Sequence, residues 1–222
     1  MTKLERLMTK EDRKAAFTLA ELLLVIVIIV ILAGLTFPAF QGVLERAKKV
    51  QAKNDLTQIV TAVNAFYTEY GKYPLVTDDT PIANTADLFY TLRAVASGAN
   101  ALVNGVPAIN PRAIVFISPP DVKNAANPRS GIGITTGVGQ WYDPWGTTYK
   151  VAIDGTYDNQ IANPYGASGG AGASPLYQGV IAWSLGKNGV LGGGLATDRT
   201  KFGDEPGSAG VFTNSGDVIS WQ

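Results

Sequence analysis

The sequence predicts an α+β protein in which a long amino-terminal α-helix packs on a small antiparallel β-sheet with loop insertions. Three observations predict it. An almost unbroken apolar run extends from Phe17 to Phe40 and leads into a segment of helical periodicity. There, Leu56, Ile59, Val63, Phe66 and Tyr70 recur every three or four residues and line one face of a helix. After residue 97, Gly, Asn, Ser and Thr are abundant, and the segments 147–153, 179–184 and 217–221 read as short strands between turns.

The elements divide the chain into a leader (1–16), an apolar helix of membrane-spanning length (17–40), an amphipathic continuation of that helix (41–71) and a globular α+β domain (72–222). The leader carries five basic and three acidic residues. From Phe17 to Phe37 only Thr18, Glu21 and Thr36 are clearly polar, and the 21 residues are enough to cross a ~30 Å hydrocarbon core as a helix. Pro38 removes a backbone donor and clashes with the preceding turn, so a kink or a locally melted turn is expected there. Gly34 and Gly42 weaken the helix further. It then resumes to Tyr70, where Gly71 is a good residue to follow a helix end and Pro74 prevents resumption. Glu45, Arg46, Lys48, Lys49, Lys53 and Asp55 cluster early in this second half, either against headgroups and neighbouring subunits or simply as a solvated face.

In the globular part, 84–95 reads as a short helix capped by Asn84 or Thr85 and stopped by Gly98. Residues 99–111 read as loop, Ala113 to Ile117 as a first strand or surface β-segment, 119–140 as a long loop and 154–175 as an insertion. Asp143-Pro144-Trp145-Gly146 is a strong β-turn sequence leading into the strand at 147–153.

Composition narrows the function. A chain of 222 residues accommodates one membrane segment and one soluble domain. Eighteen basic residues balance eighteen acidic ones, so no nucleic acid partner is expected. With no Cys there is no disulfide and no thiolate metal site, and with no His the commonest general base is missing. Gly166-Ala167-Ser168-Gly169-Gly170 formally fits a nucleophile elbow but lacks a preceding strand and any His partner. Gly131 to Gly137 is Gly-rich without the Lys of a phosphate loop. No enzyme is expected.

Glu21 is the informative residue of the apolar run. A carboxylate at the bilayer centre costs ~2.5–3.5 kcal/mol on insertion scales, so such groups mark function. An ordinary secretory signal would have a shorter apolar core and a small-residue cleavage site, which Gly34 to Phe40 does not offer. A plain signal anchor leaves Glu21 unexplained.

Ala16-Phe17-Thr18-Leu19-Ala20-Glu21, followed by an apolar helix, resembles the class III signal of type IV pilins and type II secretion pseudopilins, with Ala16 where the family usually has Gly. The resemblance implies a pilin-like fold, cleavage between Ala16 and Phe17 by a prepilin peptidase, and N-methylation of Phe17. The new ammonium at Phe17 would stand one helical turn from Glu21 of its own chain, or pair with Glu21 of an adjacent subunit and set the axial register of the stack. Pro38 also matches a proline often found in this part of the family.

Asp143-Pro144-Trp145-Gly146-Thr147-Thr148-Tyr149, Ser184-Leu185-Gly186-Lys187-Asn188-Gly189 and Asp217-Val218-Ile219-Ser220-Trp221 resemble motifs of the major pseudopilin of type II secretion. Residues 99–140, 154–178 and 190–216 are outside that likeness. In that family the carboxy-terminal loop binds Ca2+. The implied ligands are Asn188, where the family usually has Asp, Asp217, and the carbonyls of Leu185 and Val190. Asp198, Asp204 and Glu205 could replace or supplement them, and the alternative is a Gly-rich turn without metal.

The resemblance implies an inner-membrane, single-pass subunit with a periplasmic domain, polymerised with copies of itself into a filament in the periplasm or at the cell surface. The implied partners are the prepilin peptidase, a platform protein and assembly ATPase, minor pilins or pseudopilins, and a secretin. A type IV pilus subunit for adhesion, motility or DNA uptake is the second reading, and a membrane-anchored binding domain that never polymerises is the third.

Overall fold

A computed structural model describes residues 18–192, 210–213 and 215–222, with 35–41 described in backbone alone. The chain forms two compact units, one ending at Gln41 and the other comprising Gly42–Gln222. Helix α1 (Leu19–Tyr70) is 52 residues long and runs through Pro38 without a break in its helical assignment. No melted turn therefore appears at Pro38, because a proline removes a single i→i−4 bond and the flanking bonds can carry the helix past it. The carboxyl end follows expectation: Gly71 takes φ +68° and its N–H donates to the Tyr67 carbonyl at 2.8 Å.

Helix α2 (Thr85–Leu92) is capped by Asn84, whose side chain accepts from the Ala86 N–H at 3.2 Å. It ends earlier than expected because Ala94 adopts a left-handed backbone at φ +57°. Gly98 opens a short 3₁₀ turn (Gly98–Asn100) instead of stopping α2. A Cβ on Gly98 would fall 2.0 Å from Asp87 Oδ1, the atom that accepts from the Ala99 N–H.

Two stretches expected to be loop contain strands. Strands β1 (Leu102–Val103) and β2 (Val106–Pro107) form a hairpin around Asn104-Gly105, both at positive φ, the two-residue turn that matches strand twist. Strands β3 (Gly131–Ile132) and β4 (Trp141–Tyr142) pair antiparallel across the second. Conversely, Ala113 to Ile117 is not a strand. The Phe116 and Ile117 N–H groups donate to the Leu92 carbonyl at 2.8 and 3.3 Å, so this extended run closes the end of α2.

The expected sheet is present. Strands β5 (Lys150–Ile153), β6 (Val180–Ser184) and β7 (Val218–Ile219) are antiparallel with β6 central, in the register Val151↔Ala182 and Trp183↔Ile219. Their side chains alternate between two cores. Val151, Ile153, Val180, Ala182 and Val218 join Leu56, Ile59, Val63 and Phe66 of α1 and Leu88, Phe89 and Leu92 of α2. Ala152, Ile181, Trp183 and Ile219 join Ile161, Tyr165, Ala171 and Leu176 of the 154–178 insertion. Each large apolar side chain so buried contributes ~1.5–3 kcal/mol. The insertion is thus the cover of the sheet's outer face.

Candidate functional site

At the amino-terminal end of α1, Thr18 and Glu21 form a reciprocal cap. The Thr18 N–H and hydroxyl donate to Glu21 Oε2 at 2.9 and 2.8 Å, and the Glu21 N–H donates to Thr18 Oγ1 at 3.2 Å. This is the capping-box arrangement, which satisfies donors that a helix start leaves orphaned. Besides its charge, Glu21 completes a Thr-x-x-Glu pattern before an apolar run, a capping signal visible in the sequence. Beyond it, every large apolar side chain from Leu19 to Leu32 is between 44% and 81% exposed. A contiguous apolar surface of this extent marks an interaction site. Among the described residues no helix is long and apolar enough to cross a membrane. Ala16 and Phe17, the expected cleavage and methylation residues, lie outside the described residues.

Of the charged residues after Gly42, Glu45, Lys48, Lys53 and Asp55 make internal ties, whereas Arg46 is exposed. Glu45 accepts from Lys48 Nζ at 2.9 Å and from the Trp145 indole N–H at 2.8 Å. Partial burial works against its ionisation, but those bonds hold its carboxyl below the ordinary range. Lys53 Nζ donates to the Ile219 and Ser220 carbonyls at 2.8 and 3.2 Å and also to the Gln222 carbonyl. Its burial lowers its basicity. Asp55 accepts from the Tyr149 hydroxyl at 2.8 Å, and burial pushes its carboxyl above the ordinary range despite that bond.

The three carboxy-terminal motifs converge. Asp143 is fully buried; its Oδ1 accepts from the backbone N–H groups of Trp145, Gly146 and Thr147 at 2.8–2.9 Å. Its Oδ2 accepts from the hydroxyls of Thr147 and Ser184, the latter at 2.6 Å. Ser184 pairs with Val218 in the sheet, and a Cβ on Gly186 would fall 2.4 Å from the Gly216 carbonyl oxygen. The Asp143, Ser184 and Asp217 segments are therefore one junction, joined to α1 through Trp145 and Glu45.

Of the expected calcium ligands, Asp217 is buried, and its Oδ2 accepts from the Tyr165 hydroxyl and the Gly192 N–H, both at 2.7 Å. Burial beside this carboxylate drives the Tyr165 hydroxyl far above the usual phenol range. Asn188 closes its own turn: Oδ1 accepts from the Val190 N–H at 3.0 Å, and its amide donates to the Gly192 carbonyl at 3.4 Å. Leu185 and Val190 lie in the same loop, whereas Asp198, Asp204 and Glu205 lie outside the described residues. A separate trio that sequence reasoning missed, Asp79, Asp154 and Asp158, brings carboxylate oxygens within 4.8 Å of one another. Asp79 there accepts from the Gly155 and Thr156 N–H groups and Asp154 from the Asp158 and Asn159 N–H groups, so these two acids knit the loop together.

Comparison with known proteins places these features in a class. The family model described as the prokaryotic N-terminal methylation motif matches residues 12–37. The fimbrial protein EcpC of Eikenella corrodens is 36% identical over 99 residues, 45% of this chain and 63% of that protein. The type IV major pilin protein PilA of Myxococcus xanthus (strain DK1622) is 39% identical over 61 residues, 28% of each chain. The type II secretion system core protein G of Escherichia coli (strain K12) is 36% identical over 67 residues, 30% of this chain and 46% of that protein. The chain thus spans from about a quarter to just under two thirds of the curated relatives it matches. No solved structure matches it. With its N-terminal methylation motif and a long amino-terminal helix followed by small antiparallel sheets, the chain is similar to type IV pilins and to a type II secretion core protein.

Proposed function

We propose that this chain is the major pseudopilin of a type II secretion system, anchored in the inner membrane through its apolar helix, trimmed before Phe17, methylated there and polymerised through that helix. The observation that carries the reading is the junction of Asp143, Ser184 and Asp217. The motifs that resemble the major pseudopilin are scattered in sequence yet form one hydrogen-bonded unit fastened to α1. In this reading Glu21 serves twice. Its oxygen caps the helix within the subunit, and its charge meets the ammonium of a neighbour's Phe17. The prepilin peptidase, platform protein, assembly ATPase, minor pseudopilins and secretin are the partners this reading requires.

The test is complementation. In a secreting bacterium deprived of its major pseudopilin, this chain should restore export and, when overproduced, yield fibres. Restored twitching in a strain lacking its pilus subunit, without restored export, would instead favour the surface-pilus reading. Abundant membrane-bound chain without fibres in either strain would contradict both.

Calcium at the carboxy-terminal loop is proposed on the donor chemistry of Asp217, a hard oxygen ligand, with the carbonyls of Leu185 and Val190 and with Asn188 completing the set. Such an ion would cross-link the loop and takes part in no reaction. Chelation should lower the melting temperature of the full chain and added calcium should restore it; a melt indifferent to both contradicts the site.

A further inference from the structure

The loop 120–130, part of the region without counterpart in the family motifs, encloses with Gln51 of α1 a cleft of about 610 Å³. Its walls carry Lys123, Asn124, Asn127, Arg129 and Ser130. We propose that this cleft binds a phosphate ester.

The polarity of its walls selects an anion. Asn124 Oδ1 accepts from the Ala126 N–H at 3.0 Å, and Asn127 Oδ1 accepts from Arg129 Nε at 3.3 Å. The Pro120 carbonyl accepts from the Ile132 N–H at 2.8 Å. With those oxygens engaged inside the loop, both amide NH2 groups, the Lys123 ammonium and the remaining Arg129 N–H groups are left as donors. No carboxylate lines the cleft. Among the described residues none pairs with Lys123 or Arg129, and Asp121, two residues from Lys123, faces Arg93 at 3.9 Å. A wall of donors with two unneutralised cations repels metal ions and suits an oxyanion, which charge-assisted bonds of this kind hold most strongly.

The site is also held in place. The Ser130 N–H donates to the Asp143 carbonyl at 3.0 Å, which fastens the loop to the Asp143 turn. A Cβ on Gly146 of that turn would lie 3.6–3.7 Å from Arg129 Cγ and Nε, so the stem of this side chain passes beside the turn. The volume lies within the ~300–1,000 Å³ of ordinary small-molecule sites, so an anion with an organic substituent fits. Two cations balance the charge of about −1.5 to −2 on a phosphate monoester, and the diester of a phospholipid headgroup presents the same oxygens with less charge.

The experiment uses full-length protein in a non-ionic detergent, titrated calorimetrically with glycerol phosphate (a monoester) and with deacylated phosphatidylglycerol (a diester headgroup). Saturable binding that weakens with salt is expected, at least tenfold weaker in the Lys123→Ala/Arg129→Ala variant and largely kept in Lys123→Arg/Arg129→Lys. A thermal melt confirms that each variant is folded. Tighter binding of the monoester assigns the site to soluble phosphorylated molecules, and tighter binding of the diester assigns it to lipid headgroups. Failure of both to saturate, or equal binding by the alanine variant, overturns the proposal and leaves the pilin assignment untouched.

Discussion

Glu21 caps its own helix, and the proposed filament contact would ask a second role of the same carboxylate. Its hydrogen bonds to Thr18 would survive replacement by Gln, which retains an acceptor oxygen, whereas the charge would not. Glu21→Gln and Glu21→Ala should therefore both enter the membrane and be cleaved, and both should fail to join filaments, as read by shearing and immunoblotting. Normal fibres from Glu21→Gln would show that capping alone suffices. Asp143 is the residue on which the globular domain turns. Asp143→Ala orphans five donors at roughly 1 kcal/mol each, a loss on the order of 3–5 kcal/mol readable by denaturant titration of the full chain. Asp55 behaves oppositely. Burial raises its pKa in the fold, so its ionisation opposes folding. That penalty is absent below the ordinary carboxylate range and fully present above the raised value. Asp55→Asn, which can still accept from Tyr149, should raise the melting temperature at pH 7 and lose the advantage in acid. An equal effect at both pH values would contradict this.

At the scale of elements, the helical stripe from Leu56 to Phe66 was fully legible, because a period of 3.6 leaves no other way to bury those side chains. So were the three strands of the main sheet and the Gly71 stop. Alternation in β5 and β6 was hidden, since both faces of the sheet are covered and the strands read as continuous apolar runs. Ala113 to Ile117 misled for a different reason: β-branched residues favour extended backbone, but pairing also needs a free edge, and this run meets the end of α2. The Asn104-Gly105 hairpin and the Thr18–Glu21 box both carry signals visible in the sequence, a two-residue turn pair and Thr-x-x-Glu. The junction of Asp143, Ser184 and Asp217 could not be read from order in the chain, because it depends on which strands neighbour which. Its outer cover rests on Tyr165. Tyr165→Phe removes a hydrogen bond to the buried Asp217 and should cost about 1.5–3 kcal/mol. A change below a few tenths would show that the loop is held by packing alone.

For the whole molecule, the division at Gln41 and Gly42 separates two kinds of chemistry. The first unit offers an exposed apolar helix with a capped acidic start, a surface that makes sense only when covered. The second closes two apolar cores of its own and engages the buried Asp143 through hydrogen bonds within the unit. On the proposed function, that asymmetry suits a polymerising subunit, with one part for assembly and one part carried along. The most direct test is the amino-terminal sequence of the chain recovered from its native membrane or filament fraction, read by mass spectrometry. The expected product begins at Phe17 and carries a methyl group on its α-nitrogen. Recovery of intact chain starting at Met1 from assembled material would contradict it.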